Sequence, residues 1–150
     1  MSKITTIIDN IRTRVATILP THKELPNNRT IGENDTLFLS KGRAVSIGPG
    51  ANTNRLVGCK LSIQRIVTVT ITRAHFGVDR DTTVRNNLEK NLLEDQFLII
   101  QDLEKDPDVD GVTARMVYSS DNGIEEVFGE QGHFLMIQTI FDFEYLEDLT

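Results

Sequence analysis

Lys60-Leu-Ser-Ile-Gln-Arg-Ile-Val-Thr-Val-Thr-Ile-Thr72 is the stretch on which the fold turns. Leu61, Ile63, Val67, Val69 and Ile71 alternate with Lys60, Ser62, Gln64, Thr68, Thr70 and Thr72. A period of two sends apolar side chains to one face of a strand and polar ones to the other. One face therefore belongs to a core, and the other is wet or covered by a partner. Arg65 and Ile66 interrupt the alternation, which predicts a bulge or a site where the outer face meets apolar surface.

Upstream, the β-prone stretches Thr36–Ser40 and Ala44–Ile47 lead into Gly48-Pro-Gly-Ala-Asn-Thr-Asn54, whose turn-forming residues predict a mobile hairpin tip. Residues 20–35, with Pro20, Pro26, Asn27, Asn28, Gly32 and Asn34, are poor in core residues and read as a surface loop. Before them, Ile4, Ile7, Ile8, Ile11, Val15, Ile18 and Leu19 recur at three- and four-residue steps, the stripe of a helix from about Lys3 to Leu19 that Pro20 stops.

Downstream, Asp79 to Asp81 offer caps for a second helix over Thr82–Glu104, with Val84, Leu88, Leu92, Ile99 and Leu103 as its stripe. Phe97, Leu98 and Ile100 widen the apolar surface, as in a helix that lies across a sheet with a neighbour on its far side. Asp106-Pro107-Asp108 ends it. A strand over Val112–Tyr118 leads to the turn-rich junction Ser119–Gly123 and a short extended piece, Ile124–Phe128. The last strand, about His133–Tyr145, is apolar on both faces and is expected to lie centrally or under a subunit. The expected fold class is α+β: one domain with a mixed or antiparallel sheet and a long β-hairpin, packed by an N-terminal helix and a second, central helix.

The 150 residues suit one domain, and 39% hydrophobic with 25% charged residues is an ordinary globular balance. Charge is unevenly placed. Residues 1–75 carry 11 Lys/Arg against 4 Asp/Glu and residues 76–150 carry 5 against 18, or +7 followed by −13. Opposite potentials on two faces steer head-to-tail association of like subunits, whereas acidic helices and termini alone would simply keep a small domain soluble. The net −6 disfavours nonspecific attraction to nucleic acid or anionic membrane, although the first half can present a basic patch. Cys59, the lone cysteine, permits no internal disulfide and reads as a small buried apolar residue in a reducing compartment. The apolar runs are too short for a membrane-spanning helix, and the first residues are too polar for a signal peptide, so the sequon at Asn28 reads as accidental.

No chemical motif stands up. Asp106-Pro-Asp-Val-Asp-Gly111 imitates the start of a calcium loop, but Val117 occupies the position of the bidentate Glu and a strand follows. His22, His75 and His133 lack metal-ligand spacing and a nucleophile scaffold. Gly42, Gly48, Gly50 and Gly58 surround Lys41, Arg43, Arg55 and Lys60 inside a hairpin, without a phosphate-loop signature. No catalytic residue, cofactor or metal is expected. The basic hairpin is a candidate contact to phosphates or to an acidic protein surface, and the acidic end Asp142, Glu144, Glu147 and Asp148 is either solvated or meets the basic hairpin of an adjacent copy.

In organisation the chain resembles bacteriophage neck proteins of the tail-terminator or tail-completion class. The segments that carry the likeness are Ile4–Leu19, Thr36–Phe76, Thr82–Glu104 and Phe134-Leu-Met-Ile-Gln-Thr-Ile-Phe-Asp-Phe-Glu-Tyr145. No diagnostic motif accompanies them, and loops 20–35 and 119–132 have no counterpart. The resemblance implies a non-enzymatic virion protein: a homohexameric ring that caps the tail tube, ends tube polymerisation and joins the tail to the head connector. It implies as partners the tail tube protein, the connector and neck proteins and the genomic DNA that passes or touches the ring, with no membrane and with assembly in the host cytoplasm. Lys41, Arg43, Arg55 and Arg65, with Glu144, Glu147 and Asp148, would then form the ring or tube interface, and the wet face of strand 60–73 would line or flank the lumen. Competing readings are a head–tail connector or minor tail protein, a non-viral protein-binding adaptor, an enzyme with a site assembled from scattered residues, and a DNA-contacting module.

Overall fold

The computed structural model describes residues 2–25, 41–57, 60–75, 82–105, 108–109, 112–129 and 132–149. The alternating stretch becomes strand β3 (Lys60–His75), and all of it pairs antiparallel with β6 (Gly132–Asp148), from Lys60 opposite Asp148 to His75 opposite His133. On the outer side of β3 lies β2 (Lys41–Val57), itself edged by β1 (Lys23–Glu24) in parallel; on the outer side of β6 lies β5 (Val112–Gly129), edged by β4 (Asp108–Val109). The order is β1-β2-β3-β6-β5-β4, so the sheet is mixed and the last strand is central, as its two apolar faces require.

Helices α1 (Lys3–Ile18) and α2 (Thr82–Lys105) cover one face. That face carries Val67, Val69 and Ile71 of β3 and Leu135, Ile137, Phe141, Phe143 and Tyr145 of β6, which pack with Ile7, Ile11, Val15 and Leu19 of the first helical segment and Leu92, Ile99 and Leu103 of α2. Each fully buried side chain of this size contributes about 1.5–3 kcal/mol. The architecture is the expected α+β arrangement. Of the expected α2 stripe, Val84 is exposed; the stripe turns inward only from Leu88, and the first turns are tied instead by Arg85 to Glu89 and Glu126.

Four local expectations are corrected. First, β3 contains no bulge; the irregularity lies opposite, between Ile47 and Gly50, where Gly48 and Pro49 together face Ile66. A Cβ on Gly48 would collide with the Ile66 side chain, and a bulge tolerates the missing N–H of Pro49. Second, β2 runs through the glycine-rich stretch, so the hairpin joins across residues 58 and 59, outside the described residues along with the Cys59 reading. Third, Ser119–Gly123 is not a junction: β5 continues through it with register shifts after Tyr118 and Asp121. The Asp121 carboxylate accepts the Tyr118 hydroxyl (2.6 Å), the Gly123 N–H (2.8 Å) and the Gln96 amide (3.2 Å), replacing the ladder bonds that the bulges remove. The Tyr118 hydrogen bond, with the others, holds the Asp121 carboxyl below its ordinary value, and the same bond pushes the Tyr118 phenol up.

Fourth, the described part of loop 20–35 is not all surface. His22 and Leu25 are buried, and Leu25 joins Ala44, Ala74 and Phe134 in a second apolar cluster. Through Ala44 opposite Thr70 and Ala74 opposite Phe134, this cluster lies on the face away from the helices. The remainder of that loop, the Thr36–Ser40 stretch, the caps at 79–81 and the Asp106-Pro107 helix stop lie outside the described residues.

At the start of α1, Ser2 makes no side-chain cap, and the Lys3 N–H instead donates to both Glu147 carboxylate oxygens (2.9 and 3.2 Å). Glu147→Ala should therefore cost about 0.5–2 kcal/mol, as loss of a cap does, and should speed hydrogen exchange in the first turn of α1 before the rest of the core. Gly123 has φ +73° and open space where a Cβ would project, so the cost of substitution there is backbone strain alone. Gly123→Ala should lower unfolding stability by about 1–2 kcal/mol in urea, and Gly123→Asn by less.

Candidate interaction surfaces

The order of the sheet converts the division of charge along the chain into a division across the molecule. Residues 1–75, net +7, supply α1, β1, β2 and β3, whereas residues 76–150, net −13, supply α2, β4, β5 and β6. The boundary between the halves is the β3–β6 seam. Part of the opposite charge is satisfied across it: Arg14 Nε meets Asp102 at 2.9 Å, Arg73 Nε meets Asp95 at 2.7 Å, and Lys60 stands opposite Asp148. The rest leaves a subunit with a basic lateral side at β2 and an acidic one at β5.

The seven interface candidates do not form one cluster. Lys41 and Arg43 open β2 at the end away from the hairpin join, and Arg43 Nη1 donates to the His22 carbonyl. Arg55 lies fourteen residues along the same strand, roughly 45 Å at the rise of a strand, and its side chain is outside the described residues. The idea of a basic tip that includes Lys41 and Arg43 is therefore corrected: the glycine-rich segment they were grouped with is strand. Arg65, opposite Gly50 and Phe143, crosses the helix-bearing face, where its Nε donates to the Tyr145 hydroxyl (3.2 Å) and its Nη1 to the Gly48 carbonyl (3.4 Å). Glu144 accepts the Ser62 hydroxyl (2.6 Å) and Glu147 caps α1, so both are engaged within their own chain. Asp148 is exposed beside the base of its own hairpin.

The helix-free face of the sheet presents Ser46, Gln64, Ile66 and Thr68 from the first half and Gln138, Ile140, Asp142 and Glu144 from the second, with Arg115 and Val117 of β5 alongside. A depression of 240 Å³ between Gln64, Arg115, Asp142 and Glu144 marks its middle. A second groove, of 360 Å³, runs between α1 and β2, where Asp9, Arg12, Thr13 and Ala16 face Arg43 and Val45. Among the described residues no group of His, Cys, Asp and Glu is placed to hold a metal ion, and no helix is long and apolar enough to cross a membrane.

Sequence reasoning missed a buried ionic cluster. His22 (3% exposed) lends Nε2 to Asp95 Oδ2 at 3.2 Å, while Arg73 donates to both Asp95 oxygens at 2.7 and 3.0 Å. The cluster pins the segment after α1 to β3 and α2. Its sequence signal was present: Asp95 lies three residues after Leu92 and four before Ile99, a carboxylate on the core stripe of a helix. The other two histidines, His75 and His133, are far apart in sequence yet directly opposite in the register of the seam.

No protein-family model matches the chain, and no curated protein matches it. Burial pushes the Asp95 carboxyl up, but the hydrogen bonds from His22 and Arg73 and the charge of Arg73 outweigh it and hold the group below its ordinary value. Its contribution to stability is therefore complete above the unfolded carboxylate range and is lost as pH falls through the lowered native value. Asp95→Ala should cost about 3–5 kcal/mol at neutral pH by leaving Arg73 buried without its partner. In urea titrations the gap between wild type and variant should narrow as pH drops below about 4.

Proposed function

We propose that this chain is a structural virion protein of a bacteriophage neck, of the tail-terminator or tail-completion class, which forms a homohexameric ring that caps the tail tube, ends its polymerisation and joins the tail to the head connector. One observation carries this reading: the two sides of the sheet bear opposite net charge and different surfaces, which suits a subunit that meets its neighbours head to tail. An isologous dimer would instead need one self-complementary patch. Steering by opposite potentials speeds encounter and fixes register, and it requires no chemistry at the interface. The polar helix-free face, with its serines, threonines and glutamines, suits a surface turned toward a lumen or toward DNA that must slide without adhering.

A protein-binding adaptor is the second reading. It is favoured by Ile66, Ile140 and the exposed Val117 among the polar residues of the helix-free face, and it requires a monomer or dimer.

The test is native mass by light scattering coupled to size exclusion, across protein concentration and salt. The expected result is a closed species near six times 16.9 kDa whose population falls as salt rises from about 0.05 to 0.5 M, because screening shortens the reach of the lateral charges. A monomer under every condition would overturn the ring.

A further inference from the structure

We infer that the ring contact, on the reading above, is made by Phe97 and Leu93 of α2 in one copy seated in the groove between α1 and β2 of a second copy. Helix α2 buries Leu92, Gln96, Ile99 and Leu103 against the sheet. Leu93, Phe97, Ile100 and Glu104 recur at three- and four-residue steps about a quarter-turn away. Glu104 Oε1 accepts the Tyr118 backbone N–H at 2.7 Å, which fixes this second stripe on the side of α2 that overhangs β5. There Phe97 is 56% and Leu93 47% exposed. A single exposed apolar residue is commonplace, but an aromatic and a leucine one helical turn apart form the kind of anchor that dominates binding at interfaces.

The receiving surface lies at the opposite side of the same sheet. Asp9, Arg12, Thr13 and Ala16 are one stripe of α1, and with Arg43 and Val45 of β2 they enclose the groove. Its floor is apolar, since Val45 is buried in the core, and its rim is charged. Phe97 is flanked by Glu94 one turn before and Glu104 two turns after, which places carboxylates next to Arg12 and Arg43 at the rim, while Lys90 of the same side falls toward Asp9. Ile47, opposite Val67 and therefore on the helix-bearing face, adds exposed apolar surface beside the groove. Knob and groove both belong to the helix-bearing face and to opposite lateral sides, so one copy docks on the next without turning its sheet over. The occupant is a second copy because signs, apolar anchors and sidedness match between the two surfaces of this one chain. Two unlike surfaces make a heterologous contact, which closes when the rotation per copy divides a full turn.

The experiment uses Phe97→Asp, which spoils the knob, and Thr13→Trp, which fills the groove; both positions are exposed, and far-UV circular dichroism verifies that each variant is folded. Each variant alone should associate about 30-fold or more weakly than wild type and run as a monomer where wild type is assembled. Mixed in equal amounts, F97D and T13W should form a dimer of twice 16.9 kDa and nothing larger, since the pair retains one intact contact and presents two spoiled ends. A wild-type oligomer that either substitution leaves intact overturns this contact and leaves the ring standing, as does a mixture that stays monomeric. A wild-type chain that never assembles overturns both.

Discussion

The β3–β6 pairing is the constraint on which the rest of the molecule depends. It runs the whole of β3 without a register shift and joins a hairpin made by one half of the chain to a hairpin made by the other. Val67 opposite Phe141 and Ile71 opposite Ile137 put the centre of the core on this seam, and both helices lie across it. The ionic contacts follow the same line: Arg73 with Asp95 and Arg14 with Asp102 draw basic and acidic halves together above the sheet. Such buried or half-buried pairs stabilise little relative to apolar replacements, but their loss is expensive, so they specify how the helices sit more than they add to stability.

Long strands leave long edges, and edges invite pairing with other chains. Among the described residues, β2 is covered on its outer side only at Gly42 and Arg43, and β5 only at Val112 and Thr113. Beyond those points the protein blunts both edges by other means. Arg12 reaches the Val45 carbonyl and Glu104 the Tyr118 N–H, Pro49 removes a donor, and both strands carry bulges. A subunit that must stop at a closed number of copies has reason to suppress indiscriminate sheet extension and to leave selectivity to side chains.

The sequence made β3, β6 and both helices legible because burial on one face imposes a period that few residues disturb. It concealed the continuity of β2 and β5 for a shared reason: Gly48–Asn54 and Ser119–Gly123 have the composition of turns, yet a paired neighbour supplies enough hydrogen bonds to carry a weak segment through as bulged strand. Lys41 and Arg43 were misplaced for that reason too, since moving the turn to residues 58 and 59 puts them at the far end of the strand. The His22–Asp95–Arg73 cluster depends on contacts 73 and 22 residues apart, which no local pattern encodes beyond the one carboxylate on an apolar stripe.

The carboxylate that completes the first turn of α1 lies 144 residues downstream of Lys3. On a ribosome that adds about 5–20 residues per second, roughly 7–30 s separate the emergence of these two groups. Through that interval α1 exposes its apolar stripe and its unsatisfied amides together, and the seam has no second strand. The chain thus commits to its native shape late and as a whole, and the nascent subunit offers neither of its lateral surfaces in finished form to another copy until synthesis is nearly over.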